Sequence, residues 1–236
     1  MRKIYKTKIK NYPDGTKVYT VYKNSLSIDD TAKKENFIES ISELKTDLTA
    51  EEKELEKQRN LWKVKTKIKD YCLSNDFDYF WTLTFGGEDR YDNTVCFKKL
   101  DLWLRKMRRK HGKFDYIFIP ERHKDGAIHF HGVTGGFAGE LVDSGVKHNK
   151  ATVFNCVDWE HGFSTLTRIR SKKKCASYVT KYVTKDLDQS IVGKGKKKYW
   201  CSRGLRLPAV EYSGRNLGLG LEPDYENDTC LIYKIK

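Results

Sequence analysis

Asp115-Tyr-Ile-Phe-Ile-Pro-Glu121-Arg-His-Lys-Asp-Gly-Ala-Ile-His129-Phe-His131-Gly-Val133 decides the fold of this chain. It reads as two strands joined at Lys124-Asp125-Gly126. Asp-Gly between apolar runs is a hairpin signal, because glycine supplies the positive φ such turns need. Side chains alternate faces along a strand. His129 and His131 therefore share one face, and Ile128, Phe130 and Gly132 the other. Glu121 ends the first strand, and the hairpin folds it back beside the histidines. Two imidazoles and a carboxylate on a rigid platform form a candidate metal site. A satisfied pair of sheet-surface histidines is the plain alternative, and His123 competes as a ligand or as a contact to whatever the site binds.

Further on stands Tyr178-Val-Thr-Lys181-Tyr182-Val-Thr-Lys185. Tyrosines four apart on a helix are neighbours, with Cβ atoms about 5–6 Å apart. Lys181 and Lys185 follow each tyrosine by three residues. The ordered set resembles the HUH endonucleases that start rolling-circle replication. The doubled Tyr-x-x-Lys is similar to the A proteins of small isometric single-stranded-DNA phages. The hairpin from Glu121 to His131 resembles that of geminivirus replication proteins. Together with the strand motif Thr82-Leu-Thr-Phe85, the resemblance covers roughly residues 77–207.

The resemblance implies an α+β fold, with a five-stranded antiparallel sheet related to the RNA-recognition fold and helices beside it. It implies a replication initiator that nicks and rejoins single-stranded DNA at an origin through a 5′-phosphotyrosine. Tyr178, Tyr182, Lys181 and Lys185 are then the catalytic set. Glu121, His129 and His131 hold a divalent metal, Mg2+ or Mn2+. A relaxase or single-strand transposase of the same chemistry is one alternative, and a non-catalytic nucleic-acid-binding module another. No Gly-x-x-x-x-Gly-Lys-[Ser/Thr] element is present, so helicase and polymerase are expected from the host.

The rest of the chain fits a polyanion partner. Among 236 residues, 46 are Lys or Arg and 32 Asp or Glu, a net charge of +14. Cationic runs recur at Lys106–Lys110, at Lys172, Lys173 and Lys174, and at Lys196, Lys197 and Lys198. Nucleic acid stands ahead of a membrane surface as the partner. The last two runs, with Arg203 of Tyr199-Trp-Cys-Ser-Arg-Gly204, are expected to hold DNA, and Trp200 either stacks a base or packs inward. Six cysteines without a Cys-x-x-Cys give no zinc motif. With no signal peptide and no long apolar run, a bacterial cytoplasm is the expected location.

In order, residues 1–75 read as an N-terminal hairpin and helical arm, 76–208 as the nuclease domain and 209–236 as an extension. Lys3–Ile9 and Lys17–Tyr22 flank the turn Asn11-Tyr-Pro-Asp-Gly15, a tyrosine-rich ribbon expected to cover a sheet edge rather than touch DNA. Phe37, Ile38, Ile41, Leu44 and Leu48 keep helical spacing, and Thr49-Ala-Glu-Glu52 is a capping box for the next helix. A buried strand at 79–85, an amphipathic helix at 93–110, strands near 151–158 and 163–169, and a helix from Ser171 to about Asp188 complete the reading.

Overall fold

The computed structural model describes residues 3–28, 49–183, 198–215 and 217–236. The expected helix carrying Phe37 to Leu48 lies outside the described residues. The chain divides into two compact units, residues 1–55 with 208–236, and residues 56–207.

The first unit is an antiparallel sheet of both ends of the chain. Its strands are β1 (Lys3–Asn11), β2 (Lys17–Ile28), β10 (Ala209–Ser213), β11 (Tyr225–Glu226) and β12 (Cys230–Ile235). The order is β10-β1-β2-β12-β11. The N-terminal ribbon, expected to cover a sheet edge, thus lies inside a sheet of its own, paired on both sides with C-terminal strands. The ring of Tyr5 meets those of Tyr22 and Tyr212 edge-on, with centroids 5.8 and 4.7 Å away.

The second unit holds the histidine hairpin. Helix α1 (Ala50–Ser74), whose first residues belong to the first unit, opens with the expected capping box: Thr49 N–H donates to Glu52 Oε2 at 2.9 Å, and Glu52 N–H to Thr49 Oγ1 at 3.2 Å. Strand β3 (Tyr79–Phe85) follows, then α2 (Asn93–His111), whose first turn is capped by the Asp92 carboxylate. The hairpin is β4 (Asp115–Arg122) and β5 (Ile128–Gly135), turning at Gly126 with φ +91°. Strands β6 (Leu141–His148), β7 (Ala151–Cys156) and β8 (Gly162–Arg168) lead to helix α3 (Lys172–Val179). A two-residue strand β9 (Trp200–Cys201) ends the unit.

These strands form one antiparallel sheet in the order β6-β7-β8-β3-β5-β4-β9. It has seven strands where five were expected. The additions are the outermost strands. Strand β6 is polar and mostly exposed, without the apolar alternation that marks a strand in sequence, and β9 is only two residues long. The fold is thus mixed α+β, with two antiparallel sheets and three α-helices among the described residues.

Alternation divides the large sheet into two faces. Trp81, Leu83, Phe85, Phe118, Phe130 and Leu166 are buried on one, in the same apolar core as Leu100, Trp103, Leu104 and Met107 of α2. The Trp81 indole donates to Thr134 Oγ1 at 2.7 Å and that of Trp103 to Asp158 O at 2.9 Å, so burial leaves neither N–H unpaired. Trp200 is buried too, 4.8 Å from Phe97 and 5.2 Å from Phe130, so it packs inward. No disulfide joins the six cysteines, and Cys72, Cys96, Cys156 and Cys230 are buried as small core residues. The other face carries the histidines.

Candidate active site

The register brings the polar residues into line. Glu121 of β4 stands opposite His129 of β5, which stands opposite Thr84 of β3. One step along, Ile119, His131 and Thr82 form the next row. Directly opposite residues share a face, so one carboxylate, two imidazoles and two threonines crowd together. Gly132, between His131 and Val133, is demanded by the opposite face. A Cβ there would lie 2.3 Å from Ile117 O and 2.4 Å from Phe118 Cδ1.

The hydrogen bonds orient the rings. His131 Nε2–H donates to Glu121 Oε2 at 2.6 Å, and Thr82 Oγ1 lies 3.2 Å from His131 Nδ1. A carboxylate has no proton to give, so Nε2 carries it, and in the neutral ring Nδ1 accepts from the threonine. Thr84 Oγ1 lies 3.5 Å from His129 Nδ1. Each histidine thus has Nδ1 toward a β3 threonine, and His131 has Nε2 toward Glu121. Sequence reading left Thr82 and Thr84 open between active-site floor and plain strand. Their contacts put them beneath the imidazoles.

The His131 hydrogen bond, against the opposing effect of burial, holds the Glu121 carboxyl below its usual range, and the nearby imidazoles add to the effect. Burial lowers the pKa of His129, as do His123 and His131. His123 stacks on His129 with ring centroids 4.9 Å apart and hydrogen-bonds Asp125 at the hairpin tip.

The tyrosines meet this platform. Helix α3 is shorter than expected and tightens into a 3-10 turn at Thr180–Tyr182. Thr180 contributes to that change, because its hydroxyl donates to the carbonyls of Ala176 and Ser177. Tyr178 and Tyr182 remain neighbours, with ring centroids 5.5 Å apart. The Tyr182 ring lies flat on His131, at 3.7 Å and 8°. Phe80 of β3 sits under both, 5.1 Å from Tyr178 and 6.4 Å from Tyr182. Sequence reading missed Phe80, though its alternation with Thr82 and Thr84 places it on this face.

The two tyrosines differ in setting. Tyr178 is 45% exposed, with Lys181 Nζ 5.3 Å from its ring centroid. Tyr182 is only part-exposed. Burial first, then a hydrogen bond with Tyr178 and the negative charges of Tyr178 and Glu121, push its phenol well above the usual value of about 10.

The cations fall into three groups. Lys172, Lys173 and Lys174 are exposed on the first turn of α3, where cations oppose the helix dipole. Lys172 pairs with Asp76. Arg203 is exposed just after β9, and Lys198 is part-buried. Lys185, Lys196 and Lys197 lie outside the described residues.

Among the described residues, no group of three or more His, Cys, Asp or Glu side chains is placed so that it could hold a metal ion. Glu121 is turned onto His131, and His129 onto His123. By donor type alone, two imidazoles and a carboxylate in adjoining rows match what a divalent cation takes. Holding one there through Nε2 would require His131 to take the other tautomer, with its proton on Nδ1 donated to Thr82, and Glu121 to turn off that nitrogen.

Residues 78–187 match the family model for replication-associated proteins of the ORF2 type. The matched stretch contains the hairpin, both tyrosines and the β3 threonines, and this supports placing the chain with replication initiators, which are usually nucleases. No curated protein and no solved structure gives a significant match. Among the described residues, no helix is long and apolar enough to cross a membrane.

Proposed function

We propose, from the replication-associated match over residues 78–187, that this chain nicks and rejoins single-stranded DNA at a replication origin through a tyrosine nucleophile. The observation that carries the reading is the Tyr182 ring lying 3.7 Å from His131 with Tyr178 beside it, two phenols on a Glu/His/His platform. A plain sheet surface gives no reason to gather these groups.

The scissile phosphate lies beside the tyrosines at the edge of the platform, since the Tyr182 ring already covers His131. A phenol oxygen attacks phosphorus, the phenol proton is lost, and the departing 3′-oxygen takes up a proton. The product is a 5′-phosphotyrosine and a free 3′-hydroxyl, and the phosphodiester's bond energy is kept for rejoining. Ionising an ordinary phenol, with a pKa near 10, costs about 4 kcal/mol at pH 7, and Tyr182, pushed higher by burial, costs more. A divalent cation held by Glu121, His129 and His131, Mg2+ or Mn2+, would supply Lewis-acid charge at the phosphoryl oxygens. Thr82 and Thr84 hold the imidazoles for that task. Lys181 contributes positive charge beside Tyr178. Lys172, Lys173, Lys174, Lys198 and Arg203 hold the strand.

Two adjacent nucleophiles suit repeated rounds. One opens the strand and keeps its 5′ end, and the other attacks when a round closes. The test is incubation of single-stranded fragments of the cognate replicon with the full chain, with and without EDTA, followed by mass spectrometry of trapped adducts. Adducts on Tyr178 or Tyr182 that need divalent metal and vanish in H129A/H131A, with DNA binding largely kept, are expected. Unchanged nicking by that double variant overturns the site.

A further inference from the structure

The Tyr178/Tyr182 pair meets only one end of the histidine face, over Phe80 and His131. At the other end the register sets Phe163 of β8 opposite Thr84, Thr84 opposite His129, and His129 opposite Glu121. Phe163, Thr84, His129 and Glu121 therefore form one row across four strands. Adjacent strands lie about 4.8 Å apart, so the Phe163 backbone is roughly 10 Å from that of His129.

Phe163 is 58% exposed, while Phe85, Phe118 and Phe130 of the same sheet are buried. A lone exposed apolar residue is ordinary. This one is distinguished by its place in the row and by how firmly it is held. Gly162 before it has φ +148°, and a Cβ there would lie 2.4 Å from Thr84 O and 2.6 Å from Gly86 N. Only glycine lets the chain enter β8 this close to β3. The Trp159 indole also donates to Thr84 O at 3.1 Å, tying the preceding turn to the same strand. Beyond Phe163 the face continues with Thr165 and Thr167, small polar residues that leave room beside the ring.

An apolar ring fixed on a rigid strand, beside groups suited to a phosphodiester, matches a nucleobase. Every base offers a π-face, and aromatic side chains are the usual stacking surface for single strands. We propose that Phe163 stacks one base of the single strand and so sets which phosphate reaches Glu121, His129 and the tyrosines. This rests on the proposed nicking function for the identity of the phosphate, but the stacking itself does not depend on cleavage.

The experiment uses the full chain without divalent metal and short mixed-sequence oligonucleotides carrying 2-aminopurine at successive positions. Stacking quenches the 2-aminopurine at one register. F163A is expected to lose that quench and to bind about tenfold more weakly, while F163W retains both. The melting temperature of F163A should stay at the wild-type value, because the residue is exposed. With metal and a cleavable substrate, F163A should raise KM more than it lowers kcat and should scatter the cut position. Binding of F163A within twofold of wild type with an unchanged quenching profile overturns the stacking role, whether or not the protein cuts. A wild-type chain that shows the Phe163-dependent quench but never cuts supports the stacking and overturns only the nicking reading.

Discussion

Replacing Tyr182 by phenylalanine and by alanine separates its packing from its chemistry. The ring is stacked flat on His131 and part-buried, and its hydroxyl is hydrogen-bonded to Tyr178. Truncating a fully buried aromatic to alanine costs about 3–5 kcal/mol. With the ring only part-buried, Y182A should cost about 2 kcal/mol. For a chain of this length that lowers Tm by roughly 4–8 °C. Y182F keeps the stack and loses one hydrogen bond, about 1 kcal/mol at most, so Tm should fall by no more than roughly 2–4 °C. Y182F must nevertheless lose every covalent adduct at position 182. It should still cut once through Tyr178 and fail at repeated cleavage and release. Thermal melts followed by circular dichroism, beside adduct mapping on a cut-site oligonucleotide, read both effects. If Y182F melts as low as Y182A, the hydroxyl rather than the ring holds the contact with His131. If Y182F completes repeated rounds with adducts only on Tyr178, the two-nucleophile mechanism is refuted.

Gly132→Ala should prevent recovery of folded protein or lower Tm steeply, because its Cβ would strike a backbone carbonyl that cannot move aside; a wild-type melting curve would show that β4 and β5 lie farther apart. Asp158 is buried and accepts from Lys110 at 2.5 Å and from His111 at 2.9 Å. Burial raises its pKa, but these partners prevail and hold it below the usual carboxylate range. A depressed folded pKa gives stability that is present above the unfolded value of about 3.9 and is lost as pH falls through the folded one. Asp158→Asn should therefore narrow the Tm gap to wild type only below about pH 4, and an equal gap at about pH 3 and pH 7 would contradict the assignment. Single-stranded DNA binding should weaken linearly in log K against log salt, by about 0.7 per neutralised phosphate, and a flat plot would remove the cationic residues from the interface.

Much of the site could be read from local sequence, because its parts obey local rules. The Asp125-Gly126 turn and the two-residue alternation placed Glu121 beside the histidines, and helical spacing placed Tyr178 beside Tyr182. The capping box at Thr49 and Glu52 formed as its spacing required, since both partners lie within one turn. What tertiary structure alone decided involves partners far apart in the chain. Sequence could not choose between base stacking and packing for Trp200, and its contacts with Phe97 and Phe130, set by the pairing of β9 with β4, decided for the core. The threonines of β3 acquired their place under the imidazoles only when β3 aligned with β5, some fifty residues away. The N-terminal ribbon read as an edge cover because its partners β10 and β12 lie about 200 residues downstream, and no local pattern encodes a pairing at that separation. Periodicity specifies which face a side chain takes. Which strand lies opposite is decided by the burial of the whole sheet, and that register brings the carboxylate and the imidazoles to one place.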